Sequence, residues 1–135
     1  MVLETTVCVD LLRERSRGRA GPAHDAVAKL GDRRVYLSVF SVCELHAGVG
    51  LSGRPDEELR LVTSFVSHLT VLYPEADFPV LYGEAAARLL AAGTPIPTMD
   101  LLIGVTAKAR GLPLLTRDRR HFVRIAGLAV ESYDG

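Results

Sequence analysis

Residues 98–118 read TMDLLIGVTAKARGLPLLTRD and contain one complete step from a helix to a strand. The residues around Asp100 are typical of a helix start, and Gly111 is typical of a helix end. Residues 114–116 then predict a short buried strand, which is followed by a second acid, Asp118. This stretch therefore places one acid at the start of a helix and another just beyond the carboxyl end of a strand.

The same alternation of short strands and helices extends along the whole chain. Apolar or β-forming runs predict strands at residues 2–3, 35–38, 71–73, 114–116 and 128–130. Helical spacing predicts helices at about residues 7–12, 22–30, 55–69, 78–92 and 98–111, and another from residue 41 that ends near 48–53. A turn or short helix is predicted at 117–122. This order predicts an α/β fold, a single domain over residues 1–135 with a short-stranded, mainly parallel sheet between helices.

Composition excludes several classes of protein. Charged residues, Gly or Pro interrupt every apolar run before the ~20 residues that a spanning helix needs, and the first residues lack the basic and long apolar regions of a secretory signal. We therefore expect a cytoplasmic protein without a membrane segment. No GxGxxG, P-loop or GxSxG motif is present, which disfavours nucleotide-binding folds and serine hydrolases. Sixteen basic residues balance sixteen acidic ones, so binding to nucleic acid would have to come from local patches.

Five acids fall near the predicted strand ends. Glu4 closes the first strand, Glu44 follows the second, Asp118 follows the fourth, and Asp100 opens the helix before it. Asp10 lies six residues after Glu4 and would face the same crevice from one turn further in. Because ligands of parallel α/β sheets bind outside the carboxyl ends of the strands, we expect these acids to lie close together.

Converging carboxylates repel one another by roughly 4 kcal/mol per pair at 4 Å and an effective dielectric of 20. Either a proton or a cation must relieve that repulsion. Hard oxygen ligands suit Mg²⁺ or Mn²⁺, and such sites serve phosphodiester hydrolysis.

Each acid also has a simpler interpretation. Ser41 and Glu44 have the spacing of a helix capping box. Asp100 and Asp118 would serve as helix-dipole partners or turn formers, and Asp10 as a solvated helix residue. The combination of acids, and no single one, favours the metal site.

The sequence resembles the motifs of the PIN-domain family. Residues 2–12, VLETTVCVDLL, resemble its first motif, in which an apolar strand precedes Asp-Thr-Ser/Asn and a short helical run. Residues 38–45, SVFSVCEL, are similar to the second motif, which is built around one Glu, and residues 100–122 match the third and fourth. The resemblance covers nearly the whole chain in the family's order and spacing.

The chain length and the C-terminal part of the sequence resemble those of the VapC-like toxins of type II toxin–antitoxin modules. The resemblance implies a three-layer α/β/α fold and a metal-dependent endoribonuclease that is inhibited by a cognate antitoxin. It also implies RNA as substrate, Mg²⁺ or Mn²⁺ as cofactor, and a homodimer.

Carried over position by position, the resemblance assigns the catalytic and metal-binding roles to carboxylates at Glu4, Glu44, Asp100 and Asp118. Thr5 or Thr116 would steady a ligand or a water through its hydroxyl, and Asp10 falls outside the family's quartet. Glu4 departs from the pattern, because the family usually has Asp there. The extra methylene leaves three possibilities, namely a displaced backbone, a preference for Mn²⁺ over strictly octahedral Mg²⁺, or a weakened nuclease.

Basic and apolar side chains suggest where partners bind. Arg117, Arg119 and Arg120 flank Asp118 and are the candidate contacts to RNA phosphates, whereas we interpret the run Arg13, Arg15, Arg17 and Arg19 as a solvated helix end and loop. Apolar helix residues, some of them core, are candidates for an antitoxin groove: Leu11, Leu12, Leu51, Leu59, Val62, Phe65 and Val66. His121 has no partner that the sequence reveals.

Two alternatives remain at the level of sequence. A catalytically weakened or inert PIN-fold module that binds RNA or protein is suggested by Glu4 alone. A receiver-type phosphoacceptor domain also gathers acids above a parallel sheet, but it requires a Lys at the end of its last strand. The only lysines, Lys29 and Lys108, lie inside predicted helices.

Overall fold

The computed structural model describes residues 1–134, which form a five-stranded sheet with helices on both faces. The strands are β1 (Val2–Leu3), β2 (Tyr36–Ser38), β3 (Thr70–Leu72), β4 (Leu114–Thr116) and β5 (Val130–Ser132). The helices are α1 (Thr5–Ser16), α2 (Pro22–Ala28), α3 (Val39–Leu51), α4 (Pro55–Ser67), α5 (Phe78–Ala91) and α6 (Thr98–Ala109), and a 3₁₀ turn covers Phe122–Arg124. The strand order is β3-β2-β1-β4-β5 and each neighbouring pair is parallel. The predicted α/β fold is confirmed.

Alternation along the short strands builds a core on each face of the sheet. Val2 and Leu114 pack into an apolar cluster with α5 and α6, whereas Leu3 and Leu115 pack into a second cluster with α1, α2 and α4. Successive side chains of a strand point to opposite faces, so two adjacent apolar residues supply both cores. The result is the predicted three-layer α/β/α arrangement.

The start of α3 differs from the prediction. We expected Ser41 to cap this helix together with Glu44, but the N-cap is Ser38, whose hydroxyl accepts a hydrogen bond from Phe40 N at 3.1 Å. Because β2 leads into α3 without an intervening loop, the hydroxyl at the end of the strand satisfies the helix first. Ser41 is a buried residue inside the helix, and the capping-box interpretation is wrong.

The last strand lies two residues beyond the predicted position. Pairing with β4 begins at Val130, opposite Leu114, and continues to Ser132. The apolar residues 128–130 therefore predicted the presence of a strand correctly and its extent incorrectly.

Register places the ends of three strands side by side. Leu3 is paired with Leu37 on β2 and with Leu115 on β4. The residues that follow each of these in the chain, Glu4, Ser38 and Thr116, therefore meet at one edge of the sheet.

Among residues 1–134, no helix has both the length and the apolar character that crossing a bilayer requires.

Candidate functional site

Glu4 is the centre of the site at this sheet edge. It joins β1 to α1 as the N-cap of the helix, and its Oε2 accepts a hydrogen bond from Thr6 N at 2.9 Å. Its Oε1 accepts from the hydroxyls of Thr6 at 2.7 Å and Thr116 at 2.5 Å. The residue is only 4% exposed, so this carboxylate is both buried and held in place by three donors.

The electrostatic surroundings of Glu4 are unfavourable for its negative charge. Burial raises the pKa of Glu4 above its ordinary value, and the negative charge of Asp100 raises it further, against the opposing hydrogen bonds from Thr116 and Thr6. No Lys, Arg or His in residues 1–134 forms an ion pair with Glu4. A cation beside Glu4 and Asp100 would favour the ionised form of both carboxyls.

Thr116 links Glu4 to Asp118. Its hydroxyl donates to Glu4 and accepts a hydrogen bond from Asp118 N at 3.1 Å. The side chain of Asp118 is 54% exposed, and its oxygens contact Arg120, at 3.1 Å from the backbone N and 3.5 Å from the guanidinium. The backbone of Asp118 is therefore tied to the site, while its carboxylate lies at the solvent-exposed rim.

Thr5 connects Glu44 to the same region. The Thr5 hydroxyl donates to Glu44 Oε1 at 2.6 Å and lies 3.0 Å from the hydroxyl of Ser41. Burial raises the pKa of the Cys8 thiol, and the negative charges of Glu4 and Glu44 add to that rise. The charges of Glu4 and Glu44 therefore both reach the buried Cys8 thiol.

Asp100 has a partner that sequence reasoning missed. Nδ1 of His121 lies 2.8 Å from Oδ2 of Asp100, and both side chains are about three-quarters buried, with exposures of 24% and 25%. His121 directly precedes the 3₁₀ turn, whose buried Phe122 anchors the loop against the core. No sequence signal pairs a loop histidine with an acid 21 residues earlier on a helix.

Asp10 lies outside the group around Glu4. Its Oδ1 lies 2.8 Å from Nη1 of Arg117, and its Oδ2 accepts a hydrogen bond from the Tyr133 hydroxyl at 2.8 Å. The side chain is only 13% exposed. The interpretation of Asp10 as a solvated helix residue is therefore wrong, because Asp10 is a largely buried partner of Arg117 and Tyr133.

The carboxylate oxygens suit a cation whose coordination shell is completed by water and substrate. No three His, Cys, Asp or Glu side chains in residues 1–134 form a group arranged to hold a metal ion. Mg²⁺ in enzymes, however, commonly takes one or two carboxylates and completes its octahedron with waters and substrate phosphate. Glu4 and Asp100 supply hard oxygens that influence one another electrostatically. Their chemistry fits such an open site. The expected convergence of three or more acids into one metal-binding group is not seen in residues 1–134.

Comparison with known proteins gives a consistent result. A family model described as PIN domain matches residues 1–128. The chain is 29% identical to the tRNA(fMet)-specific endonuclease VapC of Salmonella typhimurium over 133 residues. The matched region covers 98% of this chain and 96% of that protein. Its fold matches the VapBC2 structure from Rickettsia felis bound to a promoter DNA fragment, with a TM-score of 0.88 and 26% identity over 98% of each chain. It also matches DNA-bound VapBC from Salmonella typhimurium, with a TM-score of 0.85 and 30% identity over 97% of this chain and 96% of that one.

Proposed function

This chain belongs to the PIN-domain family, and from that membership we propose that it is a metal-dependent endoribonuclease of the VapC type, inhibited by a cognate antitoxin. The relatives named endonuclease or ribonuclease VapC support hydrolysis of RNA phosphodiester bonds. The observation that carries the proposal is the buried carboxylate of Glu4, which has no basic partner in residues 1–134. The negative charge of Asp100 further disfavours the ionised form of Glu4. Cytoplasm is the proposed location, since the proposed substrate is RNA.

Two of the four candidate carboxylates would bind the cation directly, and the other two would lie around it. Glu4 and Asp100 are the proposed direct ligands, and Glu44 and Asp118 the proposed outer carboxylates that complete the pocket. When bound, Mg²⁺ or Mn²⁺ would polarise the scissile phosphate and lower the pKa of a bound water.

The remaining side chains would keep these acids in place. Thr116 and Thr6 fix Glu4, Thr5 fixes Glu44, and His121 fixes Asp100 through the contacts described above. Such supporting hydrogen bonds limit the rotamers of a ligand and preorganise it for the cation. These contacts support the roles assigned to Thr5 and Thr116.

Arg119 and Arg120 are the proposed RNA contacts at the rim. Both are exposed, and Arg120 adjoins the half-exposed Asp118. Arg117 is the least available of the three candidates, because its guanidinium is held by Asp10.

The replacement of Asp by Glu at position 4 is compatible with a retained site. The longer side chain caps α1 through Thr6 and still reaches Thr116 on β4. Its carboxylate uses three of about four lone-pair directions in these bonds, which leaves one direction for a cation. We propose that this displaced ligand favours Mn²⁺, whose coordination is less strictly confined than that of Mg²⁺.

An apolar groove is the proposed antitoxin site. A cavity of about 570 Å³ lies between α1, α2 and α4, and Leu11, Val27 and Phe65 line it. An amphipathic helix docks into grooves of this kind, and the structures that this fold matches are named VapBC. Leu51 and Leu59, which we expected in the groove, are exposed and do not line it. Homodimer formation is proposed from family membership.

The experiment is cleavage of total cellular RNA by the purified protein, with Mn²⁺, Mg²⁺ or a chelator present and the cut ends mapped. We expect discrete internal cuts that require the metal and disappear in Asp100→Asn. Asp32→Asn, which changes an exposed acid in the loop before β2 at the opposite sheet edge, should cleave normally. Intact RNA under all conditions, or cleavage that survives both chelator and Asp100→Asn, would overturn the proposal and favour an inert binding module.

A further inference from the structure

A second pocket, of about 490 Å³, lies beside the candidate site and is lined by arginines. Arg13 and Arg17 come from α1 and its C-cap, Arg19 from the loop that follows, and Arg117 from the residue after β4. We interpreted the first three from the sequence as a solvated helix end. The structure shows that these three are exposed, as that interpretation requires, and that they also line one concave surface together with Arg117. We name these four residues the arginine pocket.

Helix geometry separates the arginines of α1 into two groups. Arg13 and Arg17 are four residues apart and therefore share a face of the helix. Arg15 points elsewhere and lies over the ring of Phe65, 5.3 Å from its centroid, at the apolar groove. The arginine pocket adjoins the proposed antitoxin site. Arg13, Arg17 and Arg117 line the arginine pocket and not the groove, whereas Glu14, Arg19 and Ala20 line both.

The two acids that line the arginine pocket are already engaged by other groups. Asp10 is bound to Arg117 and Tyr133. Glu14 accepts hydrogen bonds from three backbone N–H groups, those of Gly21, Ala23 and His24.

Four arginines and two carboxylates line the arginine pocket, so it keeps a net positive charge. Arg13, Arg17 and Arg19 form no ion pair with an acid in residues 1–134, and all three are exposed. A charged, concave and solvent-accessible surface of this kind attracts a polyanion.

Arg117 connects the arginine pocket to the carboxylates. Its backbone N–H donates to the Thr6 hydroxyl at 3.1 Å, and that hydroxyl donates to Glu4. A nucleic-acid strand whose scissile phosphate lies at Glu4 and Asp100 would therefore carry a neighbouring phosphate toward the arginines. Guanidinium groups bind phosphate oxygens through two parallel N–H donors.

We propose that the arginine pocket is a second RNA-binding subsite, which holds a backbone phosphate of the substrate strand away from the cleaved bond. This inference rests on the proposed function, because the same strand must also reach the carboxylates. The pocket contributes affinity that depends on salt and not on sequence.

The test measures RNA binding without cleavage. A fluorescent single-stranded RNA of mixed sequence is titrated in chelator at several salt concentrations, with anisotropy as the signal. The triple variant Arg13→Gln, Arg17→Gln, Arg19→Gln should bind more weakly, and its slope of log K against log salt should fall by roughly 2, at about 0.7 per lost phosphate contact. The control triple variant Arg34→Gln, Arg60→Gln, Arg88→Gln removes the same charge from exposed sites outside the pocket and should retain the slope.

Three results would overturn the subsite. They are an unchanged slope in the pocket variant, an equal loss in the control variant, and displacement of RNA from the wild type by polyglutamate as effectively as by unlabelled RNA. The last result would assign the pocket to an acidic protein segment. Thermal melting checks that each variant is folded, and the single variant Arg17→Gln, with an expected slope change of about 0.7, gives the same decision should the triple variant not fold.

A kinetic measurement distinguishes failure of the subsite from failure of the proposed function. With Mn²⁺, the pocket variant should show a raised KM for RNA and an unchanged kcat, because the carboxylates are untouched. A wild-type protein that binds RNA with the expected slope but never cleaves it would contradict the nuclease and leave the subsite supported. Cleavage with equal KM in wild type and pocket variant would contradict the subsite alone.

Discussion

Glu4 has a structural role beside the role in metal binding that we propose for it. Its carboxylate caps α1 through Thr6 and receives the Thr116 hydroxyl from β4, so it ties a helix start to a neighbouring strand. The same burial that makes these bonds strong makes an unneutralised charge costly. A cation bound here would reduce that cost, which is why we propose Glu4 as a metal ligand.

Thr116→Val should impair both stability and cleavage. The substitution keeps the shape but removes the donor to Glu4 and the acceptor for Asp118 N, which costs about 1–3 kcal/mol when the groups stay buried. Chemical unfolding measures the first effect and metal-dependent RNA cleavage the second.

Thr106→Val is the matched control for Thr116→Val. Thr106 is also a buried threonine, and its hydroxyl donates to Leu102 O at 2.7 Å and accepts from the Ser38 hydroxyl at 3.4 Å, whereas Thr116 donates to a carboxylate. It should lose comparable stability and keep its cleavage rate. Equal loss of cleavage in both variants would show that Thr116 contributes only to stability and not to positioning Glu4.

At the residue scale, sequence could predict the acids but not their partners. Glu4, Asp100 and Asp118 are identifiable because each adjoins a predicted strand or helix end. The contact of Asp100 with His121 and that of Asp10 with Arg117 join residues distant in the chain, and only the folded loops bring them together.

The start of α2 is capped by a side chain of the preceding helix, α1. Gly21, the N-cap of α2, has no side chain to satisfy the first backbone N–H groups. Glu14 of α1 does so instead, with its oxygens 2.8, 2.9 and 3.0 Å from three of these nitrogens. A Cβ at Gly21 would lie 2.9 Å from Glu14 Cδ, so the glycine makes room for this carboxylate.

Glu14→Ala should destabilise the protein in a pH-dependent way. Burial raises the pKa of Glu14, but the backbone donors of His24, Ala23 and Gly21 outweigh it, and the net pKa lies below the ordinary value. The native state therefore favours the ionised carboxylate, whose contribution is present above the ordinary pKa and is lost as pH falls through the lowered one.

Unfolding by denaturant should show a loss of about 1 kcal/mol for Glu14→Ala near neutral pH, as for other lost caps. The difference from wild type should shrink as the pH is lowered through the range in which Glu14 becomes protonated. Glu84→Ala changes an exposed glutamate on α5 and controls for helix propensity. A difference between Glu14→Ala and wild type that stays constant with pH would show that the carboxylate charge contributes nothing to the cap.

Several element boundaries were predictable because Pro or Gly marks them, although Gly48 lies inside α3 and α2 ends three residues before Gly31. Pro22 and Pro55 begin helices, and Gly111, with φ of +65°, follows the end of α6 as expected. The start of α3 was not predictable, because two serines compete for the cap and only the direct connection from β2 selects Ser38.

For the whole molecule, the order of strands in the sheet determines which residues meet at the site, and local sequence pattern does not predict that order. Alternating short strands and helices predict a parallel sheet, but they do not say that β1 lies between β2 and β4. That central position places Glu4 between the chain segments that carry Glu44 and Asp118. Hydrophobic periodicity does not predict this arrangement, because it locates each strand in the chain and not its neighbours in the sheet.

The overall fold also weighs against the receiver alternative. Lys29 caps the end of α2, and Lys108 lies within α6. Neither lysine follows a strand, so a phosphoacceptor domain would lack the cation that its chemistry needs.

Mn²⁺ binding, followed by titration calorimetry or electron paramagnetic resonance without RNA, tests most directly whether the carboxylates at this sheet edge form a cation site. We expect saturable binding by the wild type, an affinity at least about 10-fold weaker in Asp100→Asn, and wild-type affinity in Asp32→Asn. A folded wild-type protein that binds no Mn²⁺, or that binds it equally well after Asp100→Asn, would contradict the assignment of these acids as the metal site.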